Sequence, residues 1–245
     1  MIRPRISKFI LVLISGLLTF SSLLAQDDNT KSAPPAQERQ RGIQFSSDKK
    51  TVEAPPAKLF QGFSVGFDLA GAGMYAAANY GQIEGQLHIN LKERFFPVFE
   101  IGLGHSNHTA DETGLHFKTD APYFRIGCDY NFNKDLTSKN RIYGGIRYAY
   151  TNFNFDLDGP GLTDDVWGGT VPYSFKGQNS SASWFELVFG LEAKIWGNFH
   201  VGWTARYHRR LSQKIPAVGQ AWYIPGFGKN DSHNFGGTFN LIFDI

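Results

Sequence analysis

The sequence has 245 residues, of which 42% are hydrophobic and 19% charged, and its formal net charge is +2. A charge so close to zero gives no basis for a nucleic-acid-binding surface, so nucleic acid is not an expected partner. The one cysteine, Cys128, excludes an internal disulfide and the common cysteine-based zinc and redox patterns.

The first 25 residues have the pattern of a secretory signal peptide. Three basic residues precede an apolar core over 9–20, and Ala25 stands at a suitable cleavage position. The apolar core is too short for a membrane-spanning helix, which needs about 20 residues. Cleavage after Ala25 removes three basic and no acidic residues, which changes the formal charge from +2 to −1. We therefore predict a signal peptide over 1–25.

Residues 26–58 form a separate compositional zone. Ala-Pro-Pro-Ala occurs twice, at 33–36 and 54–57, among charged and amide side chains. Such a segment buries too little apolar surface to offset its conformational entropy, so we predict a disordered, Pro-rich periplasmic linker. Two roles are open for the linker: a passive spacer, or a docking peptide for a periplasmic partner.

From residue 59 onward the sequence alternates between apolar and polar residues in eight runs. A period of two places successive side chains on opposite faces of a strand. In the last run, Phe235, Phe239 and Phe243 share one face, while Asn234 and Asn240 share the other. The predicted strands lie near 62–72, 80–91, 97–106, 122–132, 141–152, 183–196, 199–211 and 232–245.

The connections between these strands alternate in length. The short ones are 92–96, 133–140 and 197–198. The others, most of them long, are 73–79, 107–121, 153–182 and 212–231. Short periplasmic turns and longer extracellular loops are typical of outer-membrane barrels. We therefore predict an all-β fold over 59–245, an eight-stranded antiparallel up-and-down transmembrane β-barrel. It would lie in the bacterial outer membrane, with both mature termini in the periplasm.

The polar faces of the strands predict a filled lumen. An eight-stranded barrel has room inside only for side chains, so a diffusive pore is not expected. Opposite charges can pair there, whereas an isolated buried charge is costly. The apolar faces would contact outer-membrane lipid and lipopolysaccharide. The charged residues of the polar faces are Asp68, Glu84, Glu100, Asp129, Glu186, Glu192, Arg125, Arg147, Lys194 and Arg206.

A short run of polar residues after the third strand is the strongest candidate for chemistry. His105, His108 and Asp111 could bind a divalent metal, or a histidine could serve as the base of an outer-leaflet enzyme. Residues three apart at a strand end do not share one face, and no Gly-x-Ser-x-Gly motif is present. We therefore assign no catalytic or metal-binding residue and expect no cofactor.

The two longest predicted loops are rich in aromatic side chains. Exposed aromatic clusters tend to mark interaction surfaces. Two alternatives are that the loops pack on each other as a lid, or that their ends extend the strands. The candidate interaction residues are Trp167, Tyr173, Trp222, Tyr223 and Phe227.

The Leu-Leu-Ala-Gln segment at 23–26, the aromatic alternating strands and the Phe-Asp-Ile end at 243–245 resemble small outer-membrane barrels of Bacteroidetes-type bacteria. That family has OmpA- and OmpX-like architecture and no established function. The resemblance covers about 59–245 and carries over no catalytic residues. It implies structural support, adhesion or binding as the role.

These observations favour a non-catalytic structural or interaction subunit over an enzyme. We expect it to act in a larger outer-membrane assembly, such as barrel-assembly or transport machinery, with other outer-membrane proteins as partners. One alternative is an outer-leaflet acyltransferase or hydrolase that uses loop histidines. Another is a surface adhesion or ligand-binding barrel.

Overall fold

The computed structural model describes residues 59–133, 140–163, 166 and 168–245. The predicted signal peptide, the predicted linker and Trp167 lie outside the described residues. The elements in chain order are β1 (Phe60–Asp68), α1 (Leu69–Ala77), β2 (Tyr80–Leu91), β3 (Phe95–Thr109), β4 (His116–Asn131), β5 (Arg141–Thr163), β6 (Thr170–Trp196), β7 (Phe199–Lys214), β8 (Tyr223–Ile224), β9 (Gly228–Lys229) and β10 (His233–Asp244).

Eight of the strands form a closed antiparallel barrel in the order β1-β10-β7-β6-β5-β4-β3-β2. Val65 of β1 pairs with Phe243 of β10 on one side and with Leu87 of β2 on the other, which closes the ring. The predicted all-β, up-and-down, eight-stranded arrangement is therefore confirmed. The two-residue strands β8 and β9 form a small sheet of their own.

The two ends of the barrel differ. The end that we call the turn end has the connections 92–94 and 197–198, and β4 ends and β5 begins there, at Asn131 and Arg141. At the other, the hairpin end, lie α1, 110–115 and 215–232, and β5 ends and β6 begins there, at Thr163 and Thr170. The predicted two-residue turn at 197–198 is present, and Gly197 adopts φ +56°, a conformation that glycine reaches without strain.

The side chains of the barrel alternate between an apolar exterior and a polar interior. On β4, Phe124 and Ile126 are each 51% exposed, whereas Tyr123 and Arg125 are almost fully buried. The same alternation holds on β6, where Phe185 and Leu187 face out. Of the predicted lumen charges, Lys194 is the exception, because it lies near the turn end and is exposed.

A short helix, α1, occupies a segment that the sequence predicts as the end of the first strand and a loop. The alternation of Phe67 and Leu69 continues the strand pattern, but the chain turns at Asp68. Its Oδ1 accepts hydrogen bonds from Ala70 N (3.1 Å), as a helix N-cap, and from Phe239 N (3.2 Å). Alanine at five of the ten positions 69–78 favours a helix there. Within the described part of the chain, no helix is long and apolar enough to cross a membrane.

Strands β5 and β6 are much longer than predicted. The sequence predicts a loop over 153–182, but pairing continues to Thr163 and Thr170, with irregularities after Phe155 and Gly159. The buried aromatic side chains Phe153 and Phe155 keep the inward alternation of the strand. The prediction of a long loop was therefore wrong here, and its alternative, that the ends extend the strands, is correct.

Candidate functional site

The segment 215–232, which we call the inserted loop, folds back into the hairpin end of the barrel. Its small hairpin pairs Tyr223 with Lys229 and Ile224 with Gly228. Ile224 and Phe227 are almost completely buried. The loop therefore closes the lumen from this end.

Close contacts with the barrel wall fix the inserted loop. Gly226 adopts φ +79°, and a Cβ there would overlap the ring of Tyr123, so only glycine fits. Arg125 Nη2 donates to the carbonyl oxygen of Gly226 (2.7 Å), and Asn234 Nδ2 donates to that of Phe227 (3.0 Å). The loop thus bonds directly to lumen side chains.

An aromatic cluster joins the inserted loop to the outer parts of β5, from Phe153 onward, and of β6, up to Ala182, which we call the extended hairpin. Trp222 stacks on Phe117 with ring centroids 5.6 Å apart, and Phe117 lies 5.4 Å from Phe155 of β5. Phe227 meets Trp184 of β6 edge to face at 5.6 Å. Two segments that the sequence treats as separate loops therefore share one hydrophobic core.

Beneath this core the lumen holds a central ionic cluster. Glu100 Oε2 lies 3.2 Å from Arg125 Nη1 and 2.7 Å from Arg206 Nη1. Glu100 Oε1 lies 3.2 Å from Arg147 Nε. All of the members are buried. The cluster consists of Arg125, Arg147, Arg206, Glu84, Glu100, Glu186 and Asp129.

The remaining acids of the central ionic cluster each have strong partners, and Asp129 accepts from both terminal nitrogens of Arg147 (2.6 and 2.8 Å). Glu84 pairs with Arg125 and accepts a hydrogen bond from Tyr123 Oη (2.7 Å). Glu186 lies 2.7 Å from Arg125 Nε and accepts from Trp184 Nε1 (2.7 Å). Such pairing makes buried charge tolerable and fills the space a pore would need. The lumen is filled with paired charges, as the sequence predicts.

A second ionic group closes the turn end. Arg141 pairs with Glu192, and its guanidinium lies 4.2 Å from the ring centre of Phe96. His200 bridges Glu192 (3.0 Å) and Asp244 (3.1 Å). Polar side chains thus occupy the barrel from the turn end to the inserted loop.

A cavity of about 680 Å³ lies between the inserted loop, α1, the start of β2 and the first half of β10. Arg125, Arg206 and His208 reach it from the lumen, and His108 and Lys229 line it as well. No Asp or Glu of the described residues lines it. The apolar part of its wall consists of Met74, Tyr80, Phe117, Trp222, Tyr223, Phe227 and Phe235. This cavity is the candidate functional site.

The structure brings three of the predicted interaction residues together at this cavity. Trp222, Tyr223 and Phe227 line it, although Phe227 is 2% exposed and contributes almost no outer surface. Burial raises the pKa of Tyr223 to about 12, so the phenol stays neutral. Tyr173 does not line the cavity but packs, half-buried, against the same hydrophobic core from the extended hairpin, with its ring 5.0 Å from that of Phe175.

The predicted histidine and aspartate group is not brought together. His108 lines the cavity, whereas His105 points outward, 3.5 Å from Asp120 and next to the ring of Tyr75. Asp111 lies exposed in the turn after β3. Among the described residues, no group of three or more His, Cys, Asp or Glu side chains has a geometry that could hold a metal.

Sequence reasoning missed part of the cavity. Met74 belongs to α1, which the alternating pattern does not predict. His208 and Asn234 lie on polar strand faces, and the sequence does not distinguish the polar residues that line a cavity from those that fill the lumen. Arg125 and Arg206 are predicted as lumen charges but not as cavity residues. Only the register of five strands, β2, β3, β4, β7 and β10, and the inserted loop place these residues around one cavity.

Comparisons with known proteins give a family and a distant likeness. A family model described as "Domain of unknown function (DUF6048)" matches residues 6–244, so the chain belongs to this family. No curated protein matches the chain. A crystal structure of Ail, the attachment invasion locus protein of Yersinia pestis, in complex with the heparin analogue sucrose octasulfate, is similar over 75% of this chain and 93% of that chain. Its sequence identity is 10% and its TM-score is 0.35.

Proposed function

We propose that this member of the DUF6048 family is an integral outer-membrane barrel that acts by binding other envelope components. In this proposal it neither conducts solutes nor catalyses a reaction. The observation that carries it is the inside-out distribution of side chains, with paired charges in the lumen and large apolar residues on the outer wall.

The outer wall supports a lipid environment. On β6, Phe185, Leu187, Phe189 and Leu191 are each at least 44% exposed, while Glu186 between them is fully buried. A soluble protein rarely exposes a continuous apolar surface of this kind, whereas a transmembrane barrel requires it. Membrane lipid and lipopolysaccharide are the partners that such a wall would contact.

The asymmetry of the two ends supports an orientation with the turn end in the periplasm. The turn end carries the two shortest connections, 92–94 and 197–198, and both ends of the barrel domain, whereas the hairpin end carries α1, the inserted loop and the extended hairpin. In outer-membrane barrels the short turns face the periplasm. The linker over 26–58 would then extend into the periplasm, where it could meet a partner.

The extended hairpin of β5 and β6 is the part best suited to contact another protein. Strand β6 has 27 residues and its neighbour β7 has 16, so the hairpin projects beyond the rest of the rim. Its inner face packs on the inserted loop, and Val171 on its tip is 64% exposed. A surface held rigid before binding loses less entropy when it binds. We propose that this hairpin contacts other outer-membrane proteins, as a subunit of an assembly would.

Purification from outer membranes in mild detergent tests this proposal. We expect stoichiometric partner proteins with the native chain, and their loss when Val171→Asp and Pro172→Asp are introduced together. Lys194→Asp, a charge change at an exposed position of the same strand at the turn end, is the matched control. A chain that always purifies alone would contradict the subunit role. A changed lipid profile in a deletion strain, restored by the native chain and not by His108→Ala, would favour the enzyme instead.

A further inference from the structure

The wall of the barrel has a gap at the hairpin end. Strand β1 pairs with β10 only from Ser64 to Asp68, opposite Asp244 to Asn240. Beyond Asp68 the chain leaves the sheet as α1, while β10 continues to His233 paired with β7 alone. The first half of β10 therefore has no strand on its other side. We call this gap, between residues 234–238 of β10 and 80–82 of β2, the lateral opening.

The edge of β10 at the lateral opening is protected by side chains in place of a strand. Asp68 Oδ1 accepts from the backbone N–H of Phe239 (3.2 Å). Asn234 Oδ1 accepts from that of Phe235 (2.9 Å). Backbone groups in an apolar environment must have partners, and local side chains supply them at these two positions. The sequence therefore supplies specific side chains that stabilise the unpaired edge of β10.

The cavity extends to this gap. Its lining includes residues on both borders, 80–82 of β2 and 234–238 of β10, and among them Phe235 is 75% exposed. Met74 of α1, the helix that contacts both β2 and β10, lines it as well. The cavity therefore lies directly behind the lateral opening.

The lateral opening lies in the upper part of the apolar wall. Phe235, which is 75% exposed, pairs in register with Tyr207, and the polar residues Arg209 and His233 follow one step above. On the other side, Gly81 pairs with His105, which marks the polar boundary. The helix packs closely here, because a Cβ on Gly81 would overlap the backbone of Met74 and Tyr75. A chain entering through the opening would come from the leaflet at the hairpin end.

We infer that the cavity binds one acyl chain of an anionic lipid, which enters from the outer leaflet through the lateral opening. The aromatic wall suits the hydrocarbon. Lys229 and His108, both exposed at the rim, suit a phosphate headgroup, and no acidic residue in the described chain lines the space. The inference rests on the proposed membrane location, because only there does the opening face lipid.

Tryptophan fluorescence with lipids brominated on the acyl chain tests this inference, since bromine quenches an indole at contact distance. The chain has five tryptophans. One variant keeps Trp222 in the cavity and the fully buried Trp184, with the other three changed to Phe. A second keeps Trp203, which is 52% exposed on the outer wall, and Trp184. Each is reconstituted in phosphatidylcholine vesicles that contain brominated phosphatidylglycerol.

We expect quenching of both Trp203 and Trp222. Gly237→Phe, which puts a bulky ring at the lateral opening, should abolish quenching of Trp222 and leave that of Trp203. Gly85→Phe is the matched control, because Gly85 is on the same outer surface, has open space where a Cβ would stand, and does not line the cavity. It should leave both signals intact.

The outcomes separate the two proposals. Quenching of Trp203 without Trp222 in the unblocked protein overturns the acyl-chain site and leaves the membrane location intact. Quenching of neither overturns the membrane location itself. Equal quenching of Trp222 by brominated phosphatidylcholine, unchanged by Lys229→Gln, overturns the preference for an anionic headgroup.

Discussion

The turn end and the hairpin end of this barrel are built from the same alternating strands but are closed in different ways. At the turn end, β1 completes the ring, and the Arg141, Glu192, His200 and Asp244 group fills the interior. At the hairpin end, α1 leaves the sheet and the inserted loop replaces the polar filling. Regular pairing therefore gives a closed wall, while the departure from pairing creates a cavity.

The largest effect is expected where the polar filling is densest. Glu100→Gln removes the carboxylate that joins Arg125, Arg147 and Arg206, so each of these buried guanidinium groups loses one charged partner. Loss of one partner from a buried ion pair costs about 3–5 kcal/mol. We expect unfolding at a lower urea concentration. The folded fraction is measured from its faster migration on unheated gels. Lys194→Gln is the control, since that exposed charge should have little effect.

A smaller effect is expected at the inserted loop. Gly226→Ala forces an alanine to φ +79° against the ring of Tyr123, at a cost of about 1–3 kcal/mol. The inserted loop should become accessible to protease. The urea midpoint for unfolding of the barrel strands should remain close to that of the native chain. Equal loss of protection across the barrel strands would show that the loop and the barrel unfold as one unit.

The cap of α1 should matter less. Asp68→Ala removes the acceptor for Ala70 N and Phe239 N, and loss of an N-cap costs about 1 kcal/mol. Hydrogen exchange should speed up in α1 and at Phe239 and remain unchanged on β4. Asp68→Asn, which keeps an acceptor oxygen, should restore most of the protection. Without that recovery, the side chain would not be acting as a cap.

The smallest effect on stability is expected at the tip of the extended hairpin. Val171→Asp changes an exposed side chain, and such substitutions usually stay within about 0.5 kcal/mol. The urea midpoint should not move. A large drop would mean that the tip is part of the folded core, which would weaken its proposed role as a contact surface.

The sequence predicts the turn end better than the hairpin end for a physical reason. Alternation reports which face of a strand is apolar, and it identifies all eight barrel strands and the turn at 197–198. Alternation does not show where strand pairing ends. It therefore predicts Leu69 as part of a strand, although Asp68 is the N-cap of a helix. It also cannot separate the strand extension at Phe153 and Phe155 from an aromatic loop.

The candidate site depends on information that no local pattern carries. Arg125 and Arg206 lie on strands far apart in sequence and meet only through Glu84, Glu100 and Glu186. The position of Phe227 depends on a loop that folds back into the barrel. Such contacts follow from register and loop insertion, neither of which composition or spacing reveals.

The most direct test of the account is alkaline extraction of isolated outer membranes followed by unheated and heated gel electrophoresis of the retained protein. A barrel with an apolar wall and a filled lumen should remain in the membrane pellet and run faster unheated than heated. Release of the protein into the soluble fraction in its folded form would contradict the central claim, that this wall is in contact with lipid.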